Sequence, residues 1–300
     1  MAAIKDIRQT DEWASYLKSI GWKSERTSNG TLVNFRKFPF GHLVKIQRPP
    51  QLKKKDLDEI EGLCAEKKAL FIKIEPNFGQ NVELLEDRGY RTSLFPLIPT
   101  KTMFIHLDNS EEDLWKAVSR SGKYKIRRSQ REGADVKIYR NPAKEKLEEY
   151  HKMHVYTGKR KKFYVQPFKD LVKKTEIFGE NAHLILVYNA DGSLAGGKFY
   201  VCKDDYVLYL FGGTSAAGRK SNAGYALLWE SIKYFKSLDY KSLDLEGLDD
   251  DRFPSFTKNW GGFSYFKEKF GGEVVEFPYP HIKYLNSVME LLSRVSPVGL

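Results

Sequence analysis

Short apolar runs of two-residue period alternate along this chain with stretches whose apolar positions recur every three or four residues, and the alternation happens twice. TLVNFRKF (31–38) and HLVKIQRP (42–49) read as paired strands with a turn at 39–41. From about 54 to 67, Leu57, Ile60, Leu63 and Cys64 share one face of a predicted helix. The run ALFIKIEP (69–76) predicts a buried strand, a short helix is expected around 82–88, and TMFIHLD (102–108) predicts another strand. In the second half HLILVYN (183–189), LAGGKFYV (194–201) and YVLYLFGG (206–213) are three strands joined by tight turns, one of them at Asp191-Gly192. A helix over 223–238 buries Tyr225, Leu228, Trp229, Ile232 and Phe235. It is followed by a strand KSLDLEG (241–247), a short helix containing 265–270 and a last strand EVVEF (273–277).

Both halves thus run through a strand meander, a helix, a strand, a helix and a strand, which predicts an α/β fold with mixed sheets built from a duplicated unit. No residue-level repeat accompanies the shared order. Two helices, about 111–131 and 144–156, are expected between the halves, separated by Arg140-Asn141-Pro142. Pro142 stops one helix and can start the next, so the expected domains are 1–141 and 142–277. The segment 284–295 has helical periodicity and is expected to return to the first domain, as part of 278–300.

Composition narrows the class. At 300 residues and 41% hydrophobic content the chain can bury a sizeable core. It holds no apolar run of membrane-spanning length, and MAAIKDIRQTDEW lacks the apolar centre of a secretory signal, so a cytoplasmic protein is expected. Cys64 and Cys202 lie in different predicted elements and read as two buried thiols rather than a disulfide or metal framework. The net charge of +11 is unevenly spread: Lys116, Arg120, Lys123, Lys125, Arg127, Arg128 and Arg131 fall within 116–131 with no carboxylate among them. A second cluster spans 159–162. Such a field attracts nucleic acid, nucleotide diphosphates or an acidic membrane face, and the plainer alternative is a solvated helix face.

Four groups of residues carry candidate chemistry. In GGFSYFKEKFGG (261–272), Phe263, Phe266 and Phe270 recur at helical spacing and read as core. Lys267 beside them either stabilises a developing oxyanion or phosphate, or merely lays its stem over apolar surface. At the strand end LYLFGGTS (208–215), Gly212 and Gly213 let backbone approach a ligand where a strand gives way to a helix. An acyl-CoA enzyme would carry a Gln/Arg-x-x-Gly-x-Gly/Ala pyrophosphate loop there. Arg219-Lys-Ser-Asn-Ala-Gly224 puts Asn222 at the first glycine, which disfavours CoA. Asp244 and Glu246 share one face of a strand and either orient an incoming amine or balance surface charge with Asp249, Asp250 and Asp251. His151 and His154 sit three apart with no third ligand at a metal spacing, so no metal is expected. Gly-x-Ser-x-Gly, Walker and Cys-His patterns are lacking.

An ordered set of strings spanning about 10–280 resembles the Fem-type peptidoglycan-bridge aminoacyltransferases. In the first half these are IKIEPN (72–77), RGY (88–90) and PTKTMFIHLDNSEEDLW (99–115), followed by Lys125-Ile-Arg-Arg and Arg131-Glu-Gly133. In the second half they are YLFGG from Tyr209, ALLWESI from Ala226, Asp244-Leu-Glu-Gly247 and FKEKFGG from Phe266. The resemblance implies two tandem acetyltransferase-like (GNAT-like) domains with a cleft between them. The donor would be aminoacyl-tRNA instead of acyl-CoA, which fits the degraded pyrophosphate loop and gives Lys123, Lys125, Arg127, Arg128 and Arg131 an RNA partner.

The implied reaction forms an amide: an amine on the stem peptide of a nucleotide- or lipid-linked muropeptide attacks the aminoacyl ester. The ester is already activated, so positioning and charge stabilisation suffice and no cofactor is implied. Phe266 and Lys267 match the family's Phe-Lys pair at the transfer site, with Asp244 as a further catalytic candidate. Tyr209 matches a strand tyrosine and Lys18 an N-terminal lysine of the precursor pocket, beside Gly212 and Gly213. Where some members carry an arginine and a tyrosine that grip the precursor, this chain has Gln166 and Asp170, with Arg160 and Tyr164 as stand-ins. That departure bears on which acceptor is used. A lipid-linked acceptor would bring peripheral contact with the inner membrane face. An acyl-CoA N-acyltransferase on the same fold and a non-catalytic RNA-binding module are the competing expectations.

Overall fold

The computed structural model describes residues 5–161 and 164–295, in two compact units. The first comprises Met1–Lys101, Asp249–Lys258 and Val275–Leu300, the second Thr102–Leu248 and Asn259–Val274. The sequence placed the division at Pro142 instead. It moves to Lys101 because the following strand and helices pack into the second sheet, and two later segments return to the first unit.

The first unit opens with α1 (Asp11–Ser19), whose N-cap Thr10 accepts from the Trp13 amide. Then follow β1 (Lys23–Arg26), β2 (Leu32–Phe38), β3 (Gly41–Gln47), α2 (Lys54–Glu66), β4 (Ala69–Glu75), α3 (Glu83–Asp87) and β5 (Arg91–Thr92). Late in the chain it gains β13 (His281–Tyr284) and α11 (Ser287–Val295). Its sheet runs β1-β2-β3-β4-β13-β5. The β3–β4 pair is parallel because α2 carries the chain back across a sheet face, while β13 returns antiparallel to β4. Val33, Phe35, Val44, Ile46, Ile72 and Ile74 meet Leu57, Ile60 and Cys64 of α2, so the helical stripe read from the sequence is this unit's core. Met289 of α11 packs with Leu70, Phe71 and Ile282, and residues 296–300 lie outside the described chain.

The second unit contains β6 (Lys101–His106), α4 (Glu111–Ala117), α5 (Arg120–Arg131), β7 (Asp135–Arg140), α6 (Lys144–Lys161), α7 (Phe168–Phe178), β8 (Ala182–Tyr188), β9 (Leu194–Lys203), β10 (Tyr206–Thr214), α8 (Ala216–Lys220), α9 (Ala223–Ser237), β11 (Ser242–Asp244), α10 (Gly261–Glu268) and β12 (Glu273–Glu276). Its sheet runs β12-β6-β11-β10-β9-β8-β7, mostly antiparallel, with β10 and β11 parallel. α9 buries Tyr225, Leu228, Trp229, Ile232 and Phe235 as anticipated, within a core that includes Ile185, Tyr200, Val207 and Leu243.

Several elements depart from the sequence reading. The helix expected over 111–131 breaks at Val118, which is extended (ψ 127°), and restarts because the Ser119 hydroxyl caps the Gly122 amide. β7 and α7 have no counterpart in the sequence reading. Phe263, read as core, is exposed, whereas Phe270 is buried. Both cysteines are buried and free. No helix among the described residues is long and apolar enough to cross a membrane.

Candidate active site

The site begins with a defect in the second sheet. β10 pairs with β9 along its whole length, but with β11 only over Tyr206–Leu208. Beyond Leu208 the parallel strands part, and residues 209–214 of β10 become half-buried. The ladder with β9 also shifts register between Tyr209 and Phe211, a bulge that re-aims the following side chains. On the other side of the gap the chain leaves β11 through Glu246 (φ 43°) and Gly247 (φ 60°), two consecutive left-handed residues. A glutamate in that region costs on the order of 1 kcal/mol, which is held by the surrounding contacts.

Those contacts come from Lys267 of α10. Its Nζ donates to the backbone oxygen of Glu246 and, at 2.7 Å, to that of Gly247. Lys267 is only 6% exposed, and its Nζ lies 4.7 Å from the Phe263 ring centroid and 5.5 Å from that of Tyr209. Burial pulls its pKa from 10.5 down to about 7, against the raising influence of the Glu246 and Asp244 charges. Two of its three N–H bonds are thus committed to the loop, leaving one for a ligand.

A second buried lysine stands beside it and was not singled out in the sequence. Lys198 of β9 donates to the Tyr209 hydroxyl at 2.9 Å, with its Nζ 4.1 Å from the Tyr209 centroid and 5.1 Å from that of Phe266. It too is 6% exposed, and burial together with the Lys267 charge drives it far below the usual lysine range. The available signal was a lone cation in the otherwise apolar strand LAGGKFYVC. Tyr209 is likewise pushed up by burial. Its hydroxyl lies against Gly212, where a Cβ would overlap it, and a Cβ on Gly213 would crowd Met153 and Thr157 of α6. Lys267, Phe266, Tyr209 and Gly212 therefore meet in one cluster.

Asp244 stands differently. Its Oδ1 accepts from Thr102 and from the Glu246 amide (2.7 Å), and its Oδ2 accepts from the Tyr206 hydroxyl at 2.7 Å. Fully buried and engaged at both oxygens, it fastens β11 to β6 and β10 instead of facing the gap. The shared strand face with Glu246 does not form either, because β11 ends at Asp244.

The basic stretch separates by helix face. Lys116, Ser119, Arg120, Lys123, Tyr124, Arg127 and Arg131 line a cavity of about 670 Å3 on α4 and α5. Lys125 turns inward to donate to the Tyr225 hydroxyl at 3.0 Å, and Arg128 pairs with Glu132 at 2.7 Å. Of the precursor candidates, Lys18 is exposed on α1 of the first unit, and Arg160 and Tyr164 are exposed in the second. Arg160 lies close enough to Arg219 of α8 to depress it, after burial. Lys162 of the second basic cluster lies outside the described residues. Gln166 is buried and accepts from Lys174 at 3.1 Å, and Asp170 lies in the first turn of α7. His154 is buried against Tyr150, and His151 bonds to the Gln166 backbone oxygen.

The second unit is a mixed sheet whose central parallel strands pair only over Tyr206–Leu208, and residues 120–254 match the model of the acetyltransferase (GNAT) domain. The whole chain has a tandem-GNAT fold. It is similar in structure to FemX, with a TM-score of 0.80 at 18% identity over 96% of this chain and 94% of that one. It is also similar to L-PGS from Bacillus licheniformis (TM-score 0.63, 17% identity, 93% and 90% of the two chains). A tandem GNAT protein from the clavulanic acid biosynthesis pathway matches as well (TM-score 0.54, 11% identity, 94% and 97%). At these identities the likeness is one of fold. No curated protein sequence matches the chain. Together these findings support an acyltransferase.

Proposed function

We propose that the protein is a cytoplasmic aminoacyltransferase that moves an amino acid from aminoacyl-tRNA to an amine on the stem peptide of a peptidoglycan precursor. The observation that carries the donor is the groove on α4 and α5, where Lys116, Arg120, Lys123, Arg127 and Arg131 line one cavity with no carboxylate among the lining residues. A cavity of that charge suits a phosphate backbone, and exposed Tyr124 offers a ring to an unpaired base. Transfer takes place at the parted strands. The acceptor amine attacks the ester carbonyl, Lys267 meets the developing negative charge with its remaining N–H, and Phe266 and Tyr209 wall the reacting atoms from water. Within the second unit, Arg160, Tyr164 and Gly213 are the candidates for holding the precursor, and Lys18 is the candidate on the first.

One observation favours acyl-CoA as the donor. Asn222 occupies the first glycine position of the pyrophosphate loop and holds the left-handed conformation (φ 56°) that a glycine would take there. Against it, the segment between β10 and α9 is filled by α8, whose Arg219 folds back onto the Thr214 backbone oxygen at 2.9 Å.

The deciding experiment follows radiolabelled amino acid from a mixed aminoacyl-tRNA pool into nucleotide-linked and lipid-linked muropeptides. Wild type is compared with Arg120→Glu/Arg127→Glu. Label should appear in one precursor and fall at least about tenfold in the variant at moderate salt, since each lost phosphate contact weakens binding. Absence of label from both acceptors, with thermal protection by acetyl-CoA, would overturn the tRNA reading in favour of the CoA one.

A further inference from the structure

Lys198 has a place in the reaction that the transfer chemistry so far described does not use. Among the described residues its Nζ has a single hydrogen-bond partner, the Tyr209 hydroxyl at 2.9 Å, and no carboxylate pairs with it. It sits between the Tyr209 and Phe266 rings. The groups around it are Lys267 and Phe266 from α10 and Tyr209 from β10, with Glu246 and Asp244 acting on Lys267 from beyond. Tyr209 in turn holds its hydroxyl over Gly212, at the edge of the gap between β10 and β11. A lysine amine, a phenol and an opening for substrate are therefore in line.

Amide formation has a proton problem that this line answers. At neutral pH the acceptor amine arrives as an ammonium and must lose a proton before it can attack. A solvated lysine cannot take that proton, because it is already protonated. A lysine kept from water, without a counter-charge and beside a second cation, stays neutral and can.

We propose that Lys198 is the proton acceptor for the attacking amine, acting through the Tyr209 hydroxyl. With Lys198 neutral, the Tyr209 O–H turns to donate to its lone pair across the same 2.9 Å contact; the acceptor R–NH3+ then gives one proton to Tyr209 Oη while the phenolic proton passes to Lys198 Nζ. The freed amine forms the C–N bond at the acyl carbonyl. The bond to the leaving oxygen of an ester, or sulfur of a thioester, breaks with its electron pair, and that atom takes a second proton from the amine. Lys198 returns its proton to water after product leaves. Lys198 does not touch the substrate, so it is a positioning residue, and Tyr209 is the group in contact. The proposal rests on the acyl-transfer reading but not on the identity of the donor.

The test compares Lys198→Met and Lys198→Arg with wild type, using whichever donor the wild type accepts. Steady-state rates are measured from pH 6 to 9 with the natural amine and with hydroxylamine, which is already unprotonated at neutral pH. Both variants should lose about 100-fold or more in kcat with KM little changed, since methionine cannot take a proton and arginine never releases one. With hydroxylamine that loss should shrink to a few-fold. Thermal melting of Lys198→Met, which removes a buried amine, verifies that the loss is not unfolding. An active Lys198→Arg would show that only charge is needed, and an active Lys198→Met that the residue only packs; either overturns the proposal while leaving acyl transfer intact. Equal losses with both acceptors overturn it too. A wild type that transfers from neither donor sinks the acyl-transfer reading itself.

Discussion

Replacing Lys267 by methionine separates what this residue costs the fold from what it contributes to the site. Burial moves its pKa from 10.5 to about 7 in the folded chain, so between those values the unfolded chain binds the extra proton and the folded one does not. Stability therefore rises with pH across this window and is lower once pH falls below about 7. At about 1.4 kcal/mol per unit, the wild type should gain on the order of 3 kcal/mol between pH 7 and 9 from this group alone. Methionine abolishes that gain. It also strands the Glu246 and Gly247 carbonyls, at about 1–3 kcal/mol for a buried unsatisfied group, which lowers the whole curve without tilting it.

The diagnostic is thus the slope and not the offset. Urea unfolding at pH 6, 7, 8 and 9 should give a wild-type curve that climbs above pH 7 and a Lys267→Met curve that climbs less, with residual slope from Lys198, whose pKa is also lowered. Transfer activity should fall by about 100-fold or more at pH 6 to 7, where Lys267 still carries its third N–H, in line with loss of a preorganised donor to developing charge, and the difference should narrow as pH rises to 9. Parallel stability curves for the two proteins would refute the argument, because they would mean that Lys267 keeps its solvated pKa despite burial.

Two further predictions follow from the surrounding contacts. Asp244→Asn removes a charged acceptor from Tyr206 and Thr102, so it should cost about 1–3 kcal/mol of stability and change kcat/KM less than threefold; a large kinetic defect in a normally stable variant would restore Asp244 to the chemistry. Gly212→Ala introduces a Cβ where the Tyr209 hydroxyl lies, so it should displace that side chain and reduce kcat by tenfold or more while the thermal midpoint shifts by only a few degrees, and unchanged turnover would place Tyr209 outside the reaction.

What was legible in the sequence follows the range of the interactions. Period and apolar runs gave both cores, because Leu57, Ile60 and Cys64, or Leu228, Ile232 and Phe235, announce a buried face locally. The break at Val118 was hidden because a single serine cap decides it within a continuous basic pattern. The division into units was misplaced because it depends on which sheet β6 joins, a pairing some 140 residues apart in sequence. In the cluster, Lys267 was singled out by resemblance and Lys198 was not, although both are buried. A lysine on a helix between aromatics attracts notice, whereas one lysine inside LAGGKFYVC looks like an interrupted strand. Its meaning appears only when the neighbouring strand brings Tyr209 across from it. For Asp244 the strand-end position pointed to chemistry, whereas its hydrogen bond from Thr102, distant in sequence, was not legible.

The separation between chemistry and donor recognition also has a structural basis. Nothing in the cluster of Lys198, Tyr209, Phe266 and Lys267 distinguishes an ester from a thioester, since each presents a carbonyl that becomes an oxyanion. Discrimination between donors must come from elsewhere, and α5 has the right composition for it. One face of α5 buries Gly122, Ile126 and Ser129 in the unit, and another presents Arg120, Lys123, Arg127 and Arg131 to the groove. Between them Lys125 reaches inward to the Tyr225 hydroxyl, with its Nζ 4.7 Å from that ring centroid. Tyr225 in turn meets Phe266 edge-on with centroids 4.8 Å apart. The basic groove and the transfer cluster are therefore joined through one lysine and two rings. On the proposed function, a donor held on α5 would have a packed route to Phe266, which an acyl group delivered without that anchor would lack.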